Sequence, residues 1–257
     1  MSTENLNRRG FLKTLGLGAV AVTGLRIGRR ESGSETDETS PHKWAMVVDQ
    51  SKCVGCGYCT KACKAHNDVA PSISWNKLAH CGEMGGKEVF LPSPCMHCEH
   101  APCVDVCPVK ASYYRPDGIV MMDYDRCIGC RYCEVACPYM ARSFNWETFD
   151  GSNPEVPQWG SPEVERRPRG VDEKCSFCYH RIDRGMENDL IPGIDDDATP
   201  ACVVACPMNA RIFGDLNDPE SNVSKAIASR PYHRLREDLG TGPRVYYLCP
   251  QVEEEAA

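Results

Sequence analysis

Apolar residues in this chain come in short bursts separated by polar, glycine and proline residues. Trp44–Asp49, Ile119–Asp123 and Arg244–Leu248 are rich in β-branched, aromatic and methionine side chains and predict strands. Arg211–Phe213 and Arg142–Trp146 predict two shorter ones. Residues 150–171, with Pro154, Pro157, Pro162 and Pro168, and residues 187–200 read as long connections. Connections of that length are either functional, often partner-binding, or tolerated surface insertions. An apolar stretch from about Leu15 to Leu25 is well short of the ~20 residues that span a bilayer.

The pattern repeats. Val47–Cys56 matches Met121–Cys130, and Cys103–Ala111 matches Cys202–Ala210. The part from about residue 44 to residue 250 therefore reads as two copies of a two-motif unit, a duplication.

Sixteen of the eighteen cysteines fall in four runs within this repeat. Cys53, Cys56, Cys59 and Cys63 have the spacing C-x2-C-x2-C-x3-C, and Cys127, Cys130, Cys133 and Cys137 repeat it. Cys95, Cys98, Cys103 and Cys107 form the second run; Cys175, Cys178, Cys202 and Cys206 form the last, with a long insertion inside it. Three thiolates at such spacing can wrap a loop around one iron–sulfur cubane, with Gly55 and Gly129 easing the tight turn. In two-cluster ferredoxins the fourth cysteine ligates the other cluster, so the runs are expected to work in pairs. Helices are expected near the last cysteine of each run. Regular structure should be sparse, since clusters would supply much of the interior.

Two other uses of cysteine fit less well. A structural zinc needs only four thiolates, and the third and fourth cysteines of these runs do not follow zinc spacing. Disulfide scaffolds are usually shorter chains without ferredoxin-like repeats. Cys81 and Cys249 lie outside the runs and are expected to be small buried hydrophobes. His97 and His100 stand beside cysteines and read as polar neighbours, because thiolates already fill each site.

The formal net charge is −7. Sixteen thiolates around four oxidised cores would bring it to about −15. So acidic a body argues against nucleic-acid binding. Arg166, Arg167 and Arg169 read as a local patch facing a partner or as a solvated loop.

Arg8-Arg9-Gly10-Phe11-Leu12-Lys13 ahead of the apolar stretch resembles a twin-arginine export signal over residues 1–28, with Ala19-Val20-Ala21 a weak candidate cleavage site. The alternative is an ordinary amphipathic first helix. Export of a folded protein suits clusters built in the cytoplasm, and it places the mature chain in the periplasm or on the outer face of the cytoplasmic membrane. Residues 29–43 read as a disordered linker. Residues 251–257 read as an acidic tail. The mature chain is expected to have no membrane span, so membrane contact would go through a partner.

The four runs, the insertion between Cys178 and Cys202, and the phrase Arg166–Cys178 together resemble the iron–sulfur subunits of the complex iron–sulfur molybdoenzymes. Relatives serve polysulfide, thiosulfate, tetrathionate and dimethyl sulfoxide reductases. The resemblance covers Trp44 to Leu248. It implies an α+β fold of duplicated bacterial-ferredoxin-like modules with long insertions, pairing the first run with the fourth and the second with the third. It further implies four [4Fe–4S] clusters. The first would take Cys53, Cys56, Cys59 and Cys206; the second Cys63, Cys175, Cys178 and Cys202. The third would take Cys95, Cys98, Cys103 and Cys137; the fourth Cys107, Cys127, Cys130 and Cys133. No ligand is replaced, so no three-iron cluster is expected. Lys64 departs from the proline that follows the last cysteine of the other runs, which touches the turn and not the ligands. The implied partners are a molybdopterin-containing catalytic subunit and a multi-helix, quinone-reactive membrane subunit. The chain itself would be a non-catalytic electron relay. A free-standing soluble polyferredoxin is the alternative.

Overall fold

The computed structural model describes residues 40–250. The expected signal, most of the expected linker and the acidic tail lie outside the described residues. Residues 41–43, expected within the linker, are tied to the fold: Asp215 Oδ1 accepts from the Lys43 N–H at 2.7 Å, and the Pro41 carbonyl accepts from Asn217.

In chain order the elements are β1 (Trp44–Asp49), α1 (Tyr58–His66), β2 (Lys77–Met84), β3 (Lys87–Ser93), α2 (Pro102–Asp105), β4 (Ser112–Tyr114), β5 (Val120–Met122) and α3 (Tyr132–Ala136). Then follow β6 (Ser143–Phe144), β7 (Asp172–Glu173), α4 (Tyr179–Glu187), α5 (Ala201–Val204), β8 (Arg211–Asp215), α6 (Asn222–Ser229), β9 (Tyr232–His233) and β10 (Val245–Leu248). The elements are short, and long stretches of chain join them.

The main sheet has the order β8-β1-β10-β9, with β1 parallel to β10 and antiparallel to β8. Strand periodicity splits β1 between two interiors. Trp44, Met46 and Val48 face the large core that also holds half of the run cysteines, while Ala45 and Val47 pack with Val223, Tyr246 and Leu248 under α6. Three two-stranded pairs, β2–β3, β4–β5 and β6–β7, complete the sheets among the described residues.

The helices begin earlier than expected. α1 starts one residue before Cys59 and carries Cys63; α2, α3 and α5 are single turns built on the third cysteines Cys103, Cys133 and Cys202. In α1 the four residues from Cys59 to Cys63, at ~1.5 Å each, carry the fourth cysteine about 6 Å along the axis from the third; in the other three runs the chain leaves its single turn just before the fourth cysteine.

Arg166 and Arg167 are neither an outward patch nor a solvated loop. Arg166 grips the Asp68 carboxylate with two hydrogen bonds, of 2.8 and 3.0 Å, and buried Arg167 pairs with Glu173 at 2.7 Å. A buried carboxylate needs such a partner, and these two arginines pin the connection 150–171 onto the body. Arg169 donates to the Trp146 carbonyl at 2.9 Å.

Candidate metal centres

The first C-x2-C loop of each run turns through a left-handed residue at its second spacer position. These residues are Gly55 (φ 70°), His97 (φ 43°), Gly129 (φ 66°) and Phe177 (φ 53°). Such turns bend successive amides toward one centre. Glycine adopts them freely, whereas His97 and Phe177 do so at a cost. Backbone amides reach the sulfurs directly: Ala210 donates to Cys206 Sγ at 3.3 Å, Ala111 to Cys107 Sγ at 3.2 Å and Phe177 to Cys175 Sγ at 3.4 Å. Asn67, missed in the sequence, donates to Cys178 Sγ at 3.6 Å and to Cys63 Sγ at 3.9 Å.

The runs meet in pairs through a repeated backbone contact. The Asp49 N–H, ahead of the first run, donates to the Ala210 carbonyl behind the fourth at 2.7 Å. The Asp123 N–H, ahead of the third run, donates to the Ala111 carbonyl behind the second, also at 2.7 Å. α1 packs on α5, and α2 on α3.

Thiols gather accordingly. Cys53, Cys56, Cys59 and Cys206 line one cavity, and Cys95, Cys98, Cys103 and Cys137 line another. Cys63, Cys175, Cys178 and Cys202 are all buried; burial first, then the charges of the other three, pushes the Cys63 thiol well up. Cys133 belongs with the joined second and third runs, as do Cys107, Cys127 and exposed Cys130. Among the described residues no His, Cys, Asp and Glu side chains gather tightly enough for a single metal ion. A cubane, wider than one ion, suits the two thiol-lined cavities.

The buried thiols need a metal in order to ionise. Burial raises Cys98, Cys133 and Cys202 to about 12. Iron would have to displace those protons, which couples metal binding to folding.

Among the described residues five lysine and arginine side chains are buried: Lys174, Arg142, Arg211, Arg181 and Arg167. Arg181 pairs with Glu163 at 2.5 Å and Arg167 with Glu173. The other three have only neutral hydrogen-bond acceptors. Arg211 donates to Asn76 Oδ1 at 3.0 Å and Met46 Sδ at 3.2 Å, Arg142 to Met122 Sδ at 2.6 Å, and Lys174 to the carbonyls of Val120 and, at 2.7 Å, Cys175. Arg211 Nε and Arg142 Nη2 are buried without any hydrogen-bond partner. Burial raises the pKa of buried Asp172, against the opposing effects of the Cys133 thiol and of the charges of Arg142 and Arg131. The sequence offers one sign of Arg142 and Arg211: each stands five residues after the last cysteine of its run, at Cys137 and Cys206.

His97 is a wholly buried neighbour. Val120 N–H donates to its Nδ1 at 3.2 Å, and burial, then the charges of Lys174, Arg244 and Arg142, hold the ring well below its usual pKa. Cys81 and Cys249 are not buried hydrophobes. Cys81 is exposed on the outlying strand β2, and Cys249 is half-buried at the end of β10 with its Sγ 3.9 Å from His233 Nδ1.

Residues 44–65 match a 4Fe-4S binding domain family, and residues 87–152 a 4Fe-4S dicluster domain family. The chain is 45% identical over 222 residues to a Halobacterium salinarum protein provisionally named as the iron–sulfur subunit of a dimethyl sulfoxide reductase, covering 80% of this chain and 78% of that one. It is 44% identical over 229 residues to the iron–sulfur cluster-binding subunit of menaquinone reductase from Nitratidesulfovibrio vulgaris, covering 80% and 88%. It is 43% identical over 222 residues to a selenate reductase subunit of Mesobacillus selenatarsenatis, covering 80% and 72%.

Proposed function

The chain belongs to the iron–sulfur electron-transfer subunits of the complex iron–sulfur molybdoenzyme family, and we propose that it relays single electrons between a molybdopterin-containing catalytic subunit and a quinone-reactive membrane subunit. Four [4Fe–4S] clusters, when bound, supply the one-electron carriers. We assign their ligands as Cys53, Cys56, Cys59 and Cys206 for set one; Cys63, Cys175, Cys178 and Cys202 for set two; Cys95, Cys98, Cys103 and Cys137 for set three; and Cys107, Cys127, Cys130 and Cys133 for set four. The two thiol-lined cavities and the paired Asp49–Ala210 and Asp123–Ala111 contacts support this assignment.

The distribution of burial carries the relay reading. The cysteines of set two are all buried, and so are three of set three, while Cys56 of set one and Cys130 of set four are exposed. Sets one and four are thus the two ends. Exposed apolar side chains surround both: Val54, Tyr58 and Met208 at set one, and Ile128, Tyr132 and Val135 at set four, the last 88% exposed. Loops of this kind keep water off a docking partner's face. The chain's own residues do three things: they hold thiolates, aim amides at them and exclude water from the middle sets.

The twin-arginine segment supports export to the outer face of the membrane, with attachment through a partner. Among the described residues no helix is long and apolar enough to cross a membrane.

Anaerobic purification of the tagged chain from its own cells, with iron, sulfide and zinc analysis, tests the reading. About sixteen irons per chain and a co-purifying larger molybdenum protein are expected. Stoichiometric zinc without iron would refute the cluster assignment, and an iron-replete chain that purifies alone would favour a free carrier.

A further inference from the structure

Among the described residues Arg211, Lys174 and Arg142 are the three most deeply buried lysines and arginines, each at most 4% exposed, and none forms a salt bridge with a carboxylate, although the charge of the Asp172 carboxylate reaches Arg142. An unpaired charge in an interior is costly and needs a countercharge. Their positions show where that countercharge lies.

Arg211 lines the cavity of set one beside Cys59 and Cys206. The thiolates that would act most strongly on it, once a cluster ionises them, are those of Cys202, in set two, and Cys59, in set one. Arg142 occupies the equivalent place in the cavity of set three. On its other side, Met122 Sδ accepts from Arg142 and from Ser112 Oγ, and the Ser112 N–H donates to Cys107 Sγ of set four at 3.5 Å. Lys174 immediately precedes Cys175 of set two and holds that residue's carbonyl. Its ammonium also donates to the carbonyl of Val120, a residue that lines the cavity of set three.

We infer that these three residues form a row of fixed positive charges, Arg211 between sets one and two, Lys174 between sets two and three, and Arg142 between sets three and four, which raises the electron affinity of the clusters on either side. This rests on the cluster assignment above. An oxidised cubane with four thiolates carries about −2, and one added electron makes it one unit more negative. No proton need accompany that electron if a fixed cation already faces the site. In a buried site the attraction is little screened by salt, unlike that of a surface lysine. The unpartnered Arg211 Nε and Arg142 Nη2 donors supply hydrogen bonds that a cluster sulfur can accept. The middle sets, cut off from water, would otherwise be the hardest to reduce. The row keeps the interior passable to electrons without opening it to solvent.

The test is a redox titration of the intact, iron-replete protein followed by electron paramagnetic resonance, for wild type, Arg142→Met, Arg142→Lys and Lys174→Met. Arg142→Met should lower the electron affinity of two clusters at least tenfold, ~59 mV for a one-electron couple, with the cluster of set one unmoved. Arg142→Lys should recover most of that shift. Lys174→Met, which lines neither cavity, should move a different, overlapping pair. Unshifted potentials in iron-replete Met variants would overturn the inference, as would equal shifts in Arg142→Lys and Arg142→Met or a uniform shift of all four clusters. If both Met variants lose iron while Arg142→Lys keeps it, the charge serves assembly and the inference also fails. Wild-type protein without iron would instead refute the underlying cluster assignment.

Discussion

The ring of His97 stacks on the ring of Phe177, with centroids 3.8 Å apart. Both residues sit at the left-handed position of a C-x2-C loop, one in the second run and one in the fourth. The first and third runs place glycine there. Two loops thus accept backbone strain, ~1–3 kcal/mol each for a side chain in this region. In exchange they gain an aromatic contact that joins the two halves of the duplicated fold.

Phe177→Ala is therefore expected to cost about 3–5 kcal/mol of stability, with its left-handed backbone still strained. Thermal unfolding of the iron-replete protein, followed by loss of its visible absorbance, measures this. Phe177→Gly should lose less, because glycine relieves the turn while leaving the same cavity. Equal losses would show that the backbone at Phe177 is unstrained.

Gly129→Ala should be more damaging than Gly55→Ala. Both substitutions put a side chain at positive φ, but a Cβ at Gly129 would overlap the Gly170 carbonyl oxygen, whereas one at Gly55 meets the ring of Phe90 at 2.5 Å. A ring can turn aside and a backbone carbonyl cannot, so Gly129→Ala should lose iron from set four. Iron content per chain reads the difference, with about four irons lost if a whole cubane fails to form.

Cys206→Ser should disturb the same resonance signal as Cys53→Ser and leave the signal disturbed by Cys202→Ser largely intact. Cys206 shares a cavity with Cys53, although only three residues separate it from Cys202. Paramagnetic resonance on the three single variants decides it. A common signal for Cys202 and Cys206 would break the crossed assignment.

Glu163 gives the fold an acid-sensitive joint. Burial works to raise its pKa, but hydrogen bonds from His66 and Arg184 and the charge of Arg181 outweigh burial and hold the carboxyl at about 2, against 4.5 ordinarily. A depressed carboxyl stabilises the fold above its unfolded pKa and loses that contribution as pH falls from about 4.5 toward 2. Neighbouring His180, lowered by burial to about 4 from 6.5, loses its contribution between those values, also on acidification. Glu163→Gln should be less stable than wild type at pH 7, and the gap should close as pH approaches 2. Urea denaturation across that range reports it; a pH-independent gap would count against the ionised carboxylate.

Replacing Arg8 and Arg9 by lysine should strand the protein in the cytoplasm. Cell fractionation with antibody detection measures this, and unchanged localisation would remove the export proposal.

Much of the chemistry was legible in the residues because cysteine spacing is itself a ligand geometry. β1 was legible because Trp44 to Val48 is an unbroken apolar run with the β-prone Trp44, Val47 and Val48. The hairpin β2–β3 was not: β2 is mostly exposed, its pairing shifts register between His80 and Glu83, and no alternation betrays it. Phe177 and His97 gave no sign of left-handed backbone, since only glycine announces that state in a sequence. Arg166 and Arg167 looked like surface charge because their partners, Asp68 and Glu173, come from other parts of the fold or lie past a turn. Lys174, Arg142 and Arg211 were hidden for the same reason, as charge carries no mark of burial. The crossed ligand sets came from family resemblance and not from spacing alone.

The cavity shared by Cys53 and Cys206 has its walls at opposite ends of the described chain. On the ligand assignment proposed above, the four sets would nest like brackets during synthesis. Set four would be complete at Cys133 and set three at Cys137, while the ribosome still has the last run to make. Set two can close only after Cys202, and set one, whose first cysteine emerges earliest of all, closes last. A truncated product would carry its opening cysteines bare, so completion of set one reports that translation has passed Cys206.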